Sequence, residues 1–215
     1  MSILQNFVVF EGADGSGTTT QLNRLQRFFP QLSNFLPLYS TCEPTSGPIG
    51  RLIRQALRGE APLHAKTLAH LFAADRSEHL YAPDGIAERC ARGELVVCDR
   101  YALSSLVYQG ITCGDDTPEL LNAAFPLPEL LCYFDIDSRL AEKRMAKRPL
   151  KEMYEYLDFQ QRVRERYHAL LPRYERAGVR VERIDASESE ETVARAVSQA
   201  VAKLPILQVE VPCEP

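Results

Sequence analysis

Residues 7–19 of this 215-residue chain read FVVFEGADGSGTT, and this stretch decides the class of fold. Its first four residues form a short apolar run, and its second half is rich in glycine. After it, Leu22, Leu25 and Phe29 recur at the spacing of one helix face. A strand, a glycine-rich turn and a helix in this order open a βα unit, so we expect a sheet with helices packed against it.

Residues 12–19 match the phosphate-binding pattern G-x-x-x-x-G-K-[ST] at every position but one. Glycines in such a loop let backbone N–H groups surround a phosphate, and the following helix presents its N-terminus to the same anion. Thr19 stands where the hydroxyl that binds Mg²⁺ belongs. The alternative is a glycine-rich turn capped by threonine, which accounts less well for the strand before the turn and the helix after it.

The lysine position of this loop holds Thr18. A threonine hydroxyl places no positive charge between two phosphates, and the loss of one preorganised donor typically lowers a rate by roughly 10²–10³. Arg24 is the next basic residue and lies more than a helical turn further along the chain. We therefore expect either that another cation enters the site or that catalysis is weak or absent.

Four more apolar runs predict strands, and the stretches between them have helical periodicity. The strands are expected at residues 35–39, 95–98, 130–134 and 179–184. The helices are expected at residues 49–57, 64–92, 117–125, 137–147, 153–176 and 188–203, with Pro172 kinking or splitting the fifth. This alternation predicts an open, mostly parallel α/β sheet in one domain over residues 1–204, followed by a tail at 205–215. Binding sites in such sheets lie beyond the carboxyl ends of the strands.

Composition and charge argue against several classes of protein. No apolar run approaches the ~18 residues of a membrane span, and the N-terminus shows no export signal. The six cysteines form no CxxC pair, which favours reduced thiols in a cytoplasmic protein over a zinc site or disulfides. A net charge of −4 argues against nucleic-acid binding. Residues 139–183, however, carry 13 basic and seven acidic side chains, which suggests a small anionic ligand held at one place.

Two further motifs point to nucleotide chemistry, and each has a plainer alternative. Asp99 and Arg100 follow the apolar run 95–98. The carboxylate can organise Mg²⁺ and the guanidinium can bind a phosphate through two hydrogen bonds, or the two can form a surface ion pair. Phe72 and Arg76 share a helix face. They can stack on a base and bond its edge, or they can be a core phenylalanine beside a solvated arginine.

Taken together, these segments resemble the thymidylate kinase family over nearly the whole chain. The matching segments, in chain order, are residues 10–17, 43–44, 72–76, 99–101, 104–105 with 108–110, and 184–186. The resemblance implies a P-loop nucleoside monophosphate kinase-like α/β fold, with a five-stranded parallel sheet flanked by helices, a small lid and usually a homodimer. It implies phosphoryl transfer from ATP, with Mg²⁺ as cofactor, to dTMP, giving dTDP and ADP for dTTP biosynthesis.

The resemblance also implies four groups of site residues. The ATP-binding residues would be Gly12, Ala13, Asp14, Gly15, Ser16, Gly17, Thr18, Thr19 and Asp185. The substrate-binding residues would be Asp14, Glu43, Arg54, Phe72, Arg76, Arg100, Ser104, Ser105, Tyr108 and Gln109. The catalytic residues would be Asp99, Arg100, Arg144 and Arg148, and the metal-binding residues would be Thr19 and Asp99.

The implied roles divide between the base, the sugar and the phosphate of the acceptor. Phe72 would stack on thymine and Arg76 would bond the base edge, which Gln109 would help to read together with one of the serines at 104–105. Tyr108 would crowd the ribose 2′ position and so favour deoxyribose. By the same resemblance, Asp14 would contact the sugar hydroxyl, Arg54 and Arg100 would contact the acceptor phosphate, and residues 184–186 would lie near adenine.

The chain departs from the family pattern at Thr18 and at Cys42, where many bacterial members have arginine. Some family members lack a basic residue within the loop and supply arginines from the lid, which here would span about residues 144–151. Basic residues recur there at helical steps, so Arg144 and Arg148 are the expected donors, although a plain solvated helix face is the alternative.

Three functional hypotheses follow. The first is a working dTMP kinase whose lid arginines partly replace the lysine. The second is a nucleotide-binding relative without catalysis. The third is a kinase for another pyrimidine nucleotide or for a deoxynucleoside.

Overall fold

Five parallel strands form one sheet in the computed structural model, which describes residues 2–33, 36–146, 154 and 156–208. The strands are β1 (Ile3–Gly12), β2 (Leu38–Cys42), β3 (Leu95–Asp99), β4 (Leu127–Asp135) and β5 (Arg180–Asp185). Their order is β2-β3-β1-β4-β5, and every neighbouring pair is parallel. The predicted α/β class and five-stranded sheet are confirmed. The second strand lies further along than predicted, because its pairing with β3 runs from Leu38 to Cys42.

Helices flank the sheet, and a short 3₁₀ turn at Pro205–Leu207 follows the last of those described. The helices are α1 (Thr18–Leu32), α2 (Pro48–Leu57), α3 (Ala65–Tyr81), α4 (Ile86–Ala91), α5 (Ala102–Cys113), α6 (Asp116–Asn122), α7 (Ser138–Met145), α8 (Leu157–Arg176) and α9 (Glu190–Ala202).

Two helix predictions were wrong in detail. The stretch 64–92 is two helices, because Pro83 follows the end of α3 and the chain turns before α4. Pro172 lies inside α8 without splitting it, with Leu171 and Tyr174 buried on either side, and a kink there stays a prediction. The sequence pattern missed α5, since most of its residues are buried and it has no polar face to create a period.

Side chains of β1 alternate between the two faces of the sheet. Val8 and Phe10 pack in a core cluster with residues of α1 and α9, whereas Phe7 and Val9 pack with residues of α3 and α4. β3 and β4 are likewise buried, which explains their nearly continuous apolar sequences. The result is a sheet between two helical layers.

Strand order decides where the functional loops meet. β2, β3 and β1 are neighbours, so their carboxyl ends bring together residues 43–45, the pair Asp99–Arg100 and the phosphate loop. Asp135 and Asp185 are register partners at the ends of β4 and β5, on the other side of β1. The ends of β4 and β5 therefore lie on one side of β1, whereas the ends of β2 and β3 lie on its other side.

The last described residues pack against the body of the fold. Ile206 and Leu207 are partly buried against the core cluster of α1 and α9, and the Gln208 side chain donates to the carbonyl of Ala202. The division between a domain at 1–204 and a tail remains a prediction. None of the helices in the described part of the chain is long and apolar enough to cross a membrane.

A buried carboxylate joins the end of β1 to two helices. Oε1 of Glu11 accepts hydrogen bonds from the backbone N–H groups of Tyr101 and Ser104, at 2.9 and 3.2 Å. Oε2 accepts from the hydroxyls of Ser104 and Tyr167, at 2.6 and 2.8 Å. Burial raises the pKa of Glu11, although Ser104, Arg100 and Tyr167 favour the ionised form. These four bonds orient the N-terminus of α5 and attach it to α8.

Replacing Glu11 by alanine would leave two buried backbone donors, those of Tyr101 and Ser104, without their acceptor. Glu11→Ala should lower the free energy of unfolding by about 3 kcal/mol, measured by urea denaturation. Glu11→Gln keeps an acceptor oxygen and should lose less. Equal stability of Glu11→Ala and the wild-type chain would contradict this account.

Candidate active site

A cavity of about 580 Å³ opens at the carboxyl ends of β1, β2 and β3. Its volume is typical of small-molecule sites, which span roughly 300–1,000 Å³. It brings together most of the residues that the sequence analysis singled out. Those that line it are Ala13, Asp14, Gly15, Gly17, Thr18, Thr19, Glu43, Arg54, Phe72, Arg76, Asp99, Arg100, Ser104, Ser105, Tyr108 and Gln109.

The phosphate loop has the backbone that its glycines allow. Gly15 and Gly17 have φ values of 82° and 92°, in the left-handed region that favours glycine. A Cβ atom on Gly12 would lie 2.9 Å from the carbonyl oxygen of Phe134, so a side chain does not fit there. Gly17 directly precedes α1, which places the loop at that helix's N-terminus. Gly12 and Ser16 belong to the loop but do not line the cavity.

Thr18 and Thr19 begin α1, and Asp99, the last residue of β3, lies beside them. Thr18 lines the cavity and is only 6% exposed. The hydroxyl of Thr19 donates to Oδ2 of Asp99 at 2.5 Å. Oδ1 of Asp99 is buried without a hydrogen-bond partner. Hydroxyl and carboxylate oxygens are the ligands that Mg²⁺ prefers, so this pair fits a magnesium site.

Arg100 connects the phosphate loop to α5. Its Nη2 is 2.5 Å from Oδ1 of Asp14, and its Nη1 donates to the carbonyl of Gly12 at 2.9 Å and to the hydroxyls of Ser104 and Tyr108 at 3.3 Å. Burial alone would lower the pKa of Arg100, but Tyr108 and Asp14 outweigh it and raise that pKa, so the side chain stays charged. Its φ of 70° is uncommon for a residue other than glycine and is typical of functional sites.

Arg76 forms a buried charged group at the far end of the cavity. It is 1% exposed, forms an ion pair with Oε2 of Glu43 at 2.7 Å, and donates to the side chains of Asn122 and Ser105. Burial alone would lower the pKa of Arg76, but the charge and hydrogen bond of Glu43, together with Tyr101 and Glu11, raise that pKa. Nε of Arg76 has no partner. The alternative of a solvated arginine is therefore wrong.

Aromatic side chains line the cavity next to Arg76. Tyr154 stacks on Phe159 with ring centroids 4.9 Å apart, and Tyr108 lies 5.6 Å from Tyr154. Gln109 is 2% exposed, and its Oε1 has no hydrogen-bond partner. Phe72 completes the lining. The cavity lining thus includes flat apolar faces, and two of its residues, Arg76 and Gln109, carry a buried donor and a buried acceptor without hydrogen-bond partners.

Besides Gly12 and Ser16, two predicted residues in the described part of the chain, Asp185 and Arg144, do not line the cavity. Asp185 accepts from the backbone N–H and hydroxyl of Ser187, which lower the pKa of Asp185. Arg144 is exposed and donates to the carbonyl of Ala186 at 2.9 Å, so it lies beside the segment expected near adenine. Arg148 lies outside the described residues, together with most of the expected lid at 144–151.

Half of the ten basic residues that the structure describes within 139–183 form ion pairs. Five arginines there form ion pairs: Arg164 with Asp135, Arg166 with Asp115, Arg173 with Glu119, Arg180 with Glu182 and Arg183 with Glu175. Among the described lining residues, the basic ones are Arg54, Arg76 and Arg100. The basic side chains that the structure describes at the cavity thus come from outside the segment 139–183.

The sequence analysis missed two residues of the site, Gln160 and Tyr154. Gln160 is 1% exposed; its Oε1 accepts from the backbone N–H of Asp14 at 3.0 Å, and its Nε2 donates to Oδ2 of Asp14 at 2.8 Å. It also donates to the carbonyl of Tyr154 at 2.8 Å. The buried positions of α8 gave a helical pattern in which a single glutamine carried no functional signal.

The fold and the cavity define the class of the protein. A phosphate loop at the start of α1, with Asp99 beside its threonine and a buried recognition pocket in the same cavity, is the arrangement of a P-loop nucleotide-binding protein.

Comparisons with known proteins identify the family. The family model described as thymidylate kinase matches residues 10–197. The chain is 47% identical over 151 residues to a protein of Treponema pallidum named "Putative thymidylate kinase", an alignment that covers 70% of this chain and 71% of the relative. It is 40% identical over 201 residues to "Probable thymidylate kinase" of Pyrobaculum aerophilum, covering 92% of this chain and 97% of the relative. The chain belongs to the thymidylate kinase family, as the resemblance predicted.

The two-point contact between Gln160 and Asp14 gives a prediction. In Gln160→Glu, an ionised carboxylate would replace the amide that donates to Asp14, and the two like charges would repel each other. We expect the affinity for dTMP, measured by calorimetry, to fall about tenfold at neutral pH and to recover toward about pH 5, where the new carboxyl group is protonated and can donate.

Gln161 provides the matched control, because it is the exposed neighbour of Gln160 on the same helix. Gln161→Glu introduces the same charge and should bind dTMP like the wild-type chain at every pH. If Gln160→Glu shows no loss at neutral pH, or a loss that acid does not reverse, the contact does not orient Asp14.

Proposed function

We propose that the chain transfers the terminal phosphoryl group of ATP to dTMP, giving dTDP and ADP in the route to dTTP. The observation that carries this proposal is a single cavity lined at one end by a phosphate loop and at the other by buried, unpartnered recognition groups. Membership of the thymidylate kinase family supports it.

The recognition groups are complementary to the edge of thymine. Nε of Arg76 is a donor and Oε1 of Gln109 is an acceptor, and both are buried without partners. Thymine presents a carbonyl oxygen at position 4 and an N–H at position 3, which match this pair. Cytosine presents an amino group and an unprotonated nitrogen at the same positions. A buried donor that faces another donor is costly, so the cavity favours thymine.

Two arginines are suited to the phosphate of the acceptor. Arg54, on α2, donates to the carbonyl of Pro44, an uncharged partner, so its positive charge remains available. Arg100 is 2.5 Å from Asp14, at the phosphate loop. Together they place positive charge between the loop and the base end of the cavity, where a phosphate accepts bidentate hydrogen bonds from guanidinium groups. A phosphorylated acceptor therefore fits better than a nucleoside.

Thr19 and Asp99 would hold Mg²⁺ at the start of α1, through the hydroxyl and the carboxylate. Mg²⁺ bound there supplies neutralisation of the phosphate charge. The residues of this chain do the positioning: backbone N–H groups of the loop surround the donor phosphates, and Arg100 holds the acceptor close to them.

The cation that replaces the loop lysine is proposed to come from the lid. Phosphoryl transfer demands charge neutralisation and positioning, so a relocated guanidinium can serve. Arg144 bonds the carbonyl of Ala186, in the segment expected near adenine. It also lies close to the phosphate loop, because Ala141, three residues earlier on α7, contacts Gly15. Arg148 is the second proposed donor.

We further propose that the enzyme acts as a homodimer in the cytoplasm, as the family resemblance implies.

The acceptor panel tests the proposed reaction. With Mg·ATP as donor, we expect the chain to phosphorylate dTMP with a kcat/KM at least about tenfold above that for dUMP and about 10²-fold above that for dCMP or thymidine. ADP release in a coupled assay and chromatography of the products measure it. Binding of dTMP without formation of dTDP would favour the non-catalytic alternative, and faster turnover of another acceptor would favour the third hypothesis.

The lid proposal makes a separate prediction. Arg144→Ala and Arg148→Ala should each lower kcat by roughly 10²–10³ with little effect on dTMP binding, because each removes a cation that acts on the reacting phosphates. Lys143→Ala, an exposed neighbour in α7, is the matched control and should retain activity.

The variant Thr18→Lys tests whether another cation already replaces the loop lysine or whether the wild-type site lacks that charge. If lid arginines already serve, restoring the lysine should change kcat by less than about tenfold. A gain of roughly 10² or more would mean that the wild-type site lacks a replacement cation. Wild-type kcat in both arginine variants would exclude the lid as its source.

A further inference from the structure

His79 lies in the last turn of α3, and 9% of its side chain is exposed. Its ring contacts two residues at the end of β2. Nε2 is 2.7 Å from the hydroxyl oxygen of Thr41, and Nδ1 is 3.2 Å from Oε1 of Glu43. Because a carboxylate only accepts hydrogen bonds, Nδ1 donates to Glu43, and Nε2 shares a hydrogen bond with the hydroxyl of Thr41.

Glu43 uses its two carboxylate oxygens on two different partners. Oε1 faces His79, and Oε2 forms the ion pair with Nη2 of Arg76 at 2.7 Å. Arg76 and His79 are three residues apart on α3, so both side chains reach the same carboxylate. Glu43 is 2% exposed, and its orientation is therefore determined by these two neighbours rather than by solvent.

The same helix holds the chain after β2 at a second point. Asp75 accepts hydrogen bonds from the backbone N–H and the hydroxyl of Thr45, both at 2.7 Å. The backbone that follows Glu43 is thus supported by Asp75 independently of His79. Loss of the His79 contact would free the Glu43 side chain while the loop stays attached to α3.

Glu43 is one of three side chains that orient Arg76. Asn122 and Ser105 accept from the two terminal nitrogens of the guanidinium, Glu43 provides the charged partner, and Nε is buried without a partner. Hydrogen bonds weaken steeply when donor and acceptor are misaligned. A carboxylate held by one neighbour instead of two would leave this N–H less well directed toward a base.

A metal site is the alternative reading of this cluster, since potential ligand atoms of Glu43, His79 and Cys98 lie within 4.8 Å of one another. Their bonding argues against it. Arg76 already neutralises Glu43, and the thiol of Cys98 donates to the carbonyl of Arg100 at 3.0 Å. Burial also raises the pKa of Cys98, which opposes the thiolate form.

We propose that His79 is a positioning residue for base recognition: through Glu43 it holds Arg76 in the orientation that selects a pyrimidine with a carbonyl at position 4 over one with an amino group there. The proposal rests on the proposed function, in which Arg76 meets the base edge. The proposal adds His79, which touches no substrate, to the pair formed by Glu43 and Arg76.

The test compares His79→Leu with His79→Asn. Leucine removes both hydrogen bonds, and we expect KM for dTMP to rise about tenfold with kcat changed less than about threefold, because ground state and transition state lose the same contact. The ratio of kcat/KM for dTMP to that for dCMP should fall as well. Asparagine places an amide N–H near the position of Nδ1, so His79→Asn should recover most of the affinity and selectivity.

Two further variants keep the test decisive if His79→Leu folds poorly. Thr41→Val removes the hydroxyl that orients the ring and should raise KM in the same direction but less. His70→Leu is the matched control, because His70 is exposed on the same helix and bonds the backbone of Lys66. It should leave KM and selectivity unchanged.

Calorimetric dTMP binding separates this proposal from the proposed function. If the wild-type chain binds dTMP without turnover, the proposed function fails, while a weaker affinity of His79→Leu still supports the role of His79. Unchanged affinity in both His79→Leu and Thr41→Val overturns the positioning role even in an active kinase. A loss of dTMP affinity in His79→Leu that His79→Asn does not restore overturns the positioning role as well. Absence of dTMP binding to the wild-type chain would overturn both.

Discussion

The cavity depends on one buried carboxylate, that of Glu11 at the end of β1. Four hydrogen bonds attach it to the first turn of α5 and to Tyr167 of α8. A buried charge is tolerated only when such bonds compensate for the water it has lost, so the strand end and both helices must keep this arrangement together. The phosphate loop follows Glu11 directly, and Arg100 lies two residues before α5, which explains why these parts of the site meet.

The charges around the cavity are mostly balanced within the protein. Arg76 is paired with Glu43, and Arg100 with Asp14. Each pair joins two elements: Glu43 ties the end of β2 to α3, and Asp14 ties the phosphate loop to the start of α5. Arg54 lacks a carboxylate partner among the described residues, and Thr18 contributes no charge. The acceptor end is therefore preorganised by ion pairs, while the donor phosphates meet a loop with fewer cations than its family pattern provides.

The sequence pattern was sufficient to predict those elements that depend only on residues close together in the chain. The apolar run before residue 12 and the glycines after it predicted the strand, the turn and the start of α1, because left-handed φ values at Gly15 and Gly17 are a property of those residues. α5 was not predictable in this way, since burial on most sides removes its polar face. The ion pairs that the basic segment forms also escaped prediction, because Asp115, Glu119 and Asp135 are far from their partners in the chain.

The sequence by itself determined the class of fold, the phosphate loop and the motif around Arg76 for which base recognition is proposed, because each is carried by neighbouring residues at fixed spacing. Tertiary structure alone decided that Gln160 orients Asp14, that His79 and Arg76 share one carboxylate, and that Arg76 is buried rather than solvated. The physical reason is that these contacts join residues up to 146 positions apart. Their hydrogen bonds exist only after strand order has brought α3, α8 and the ends of β1 and β2 to the same cavity.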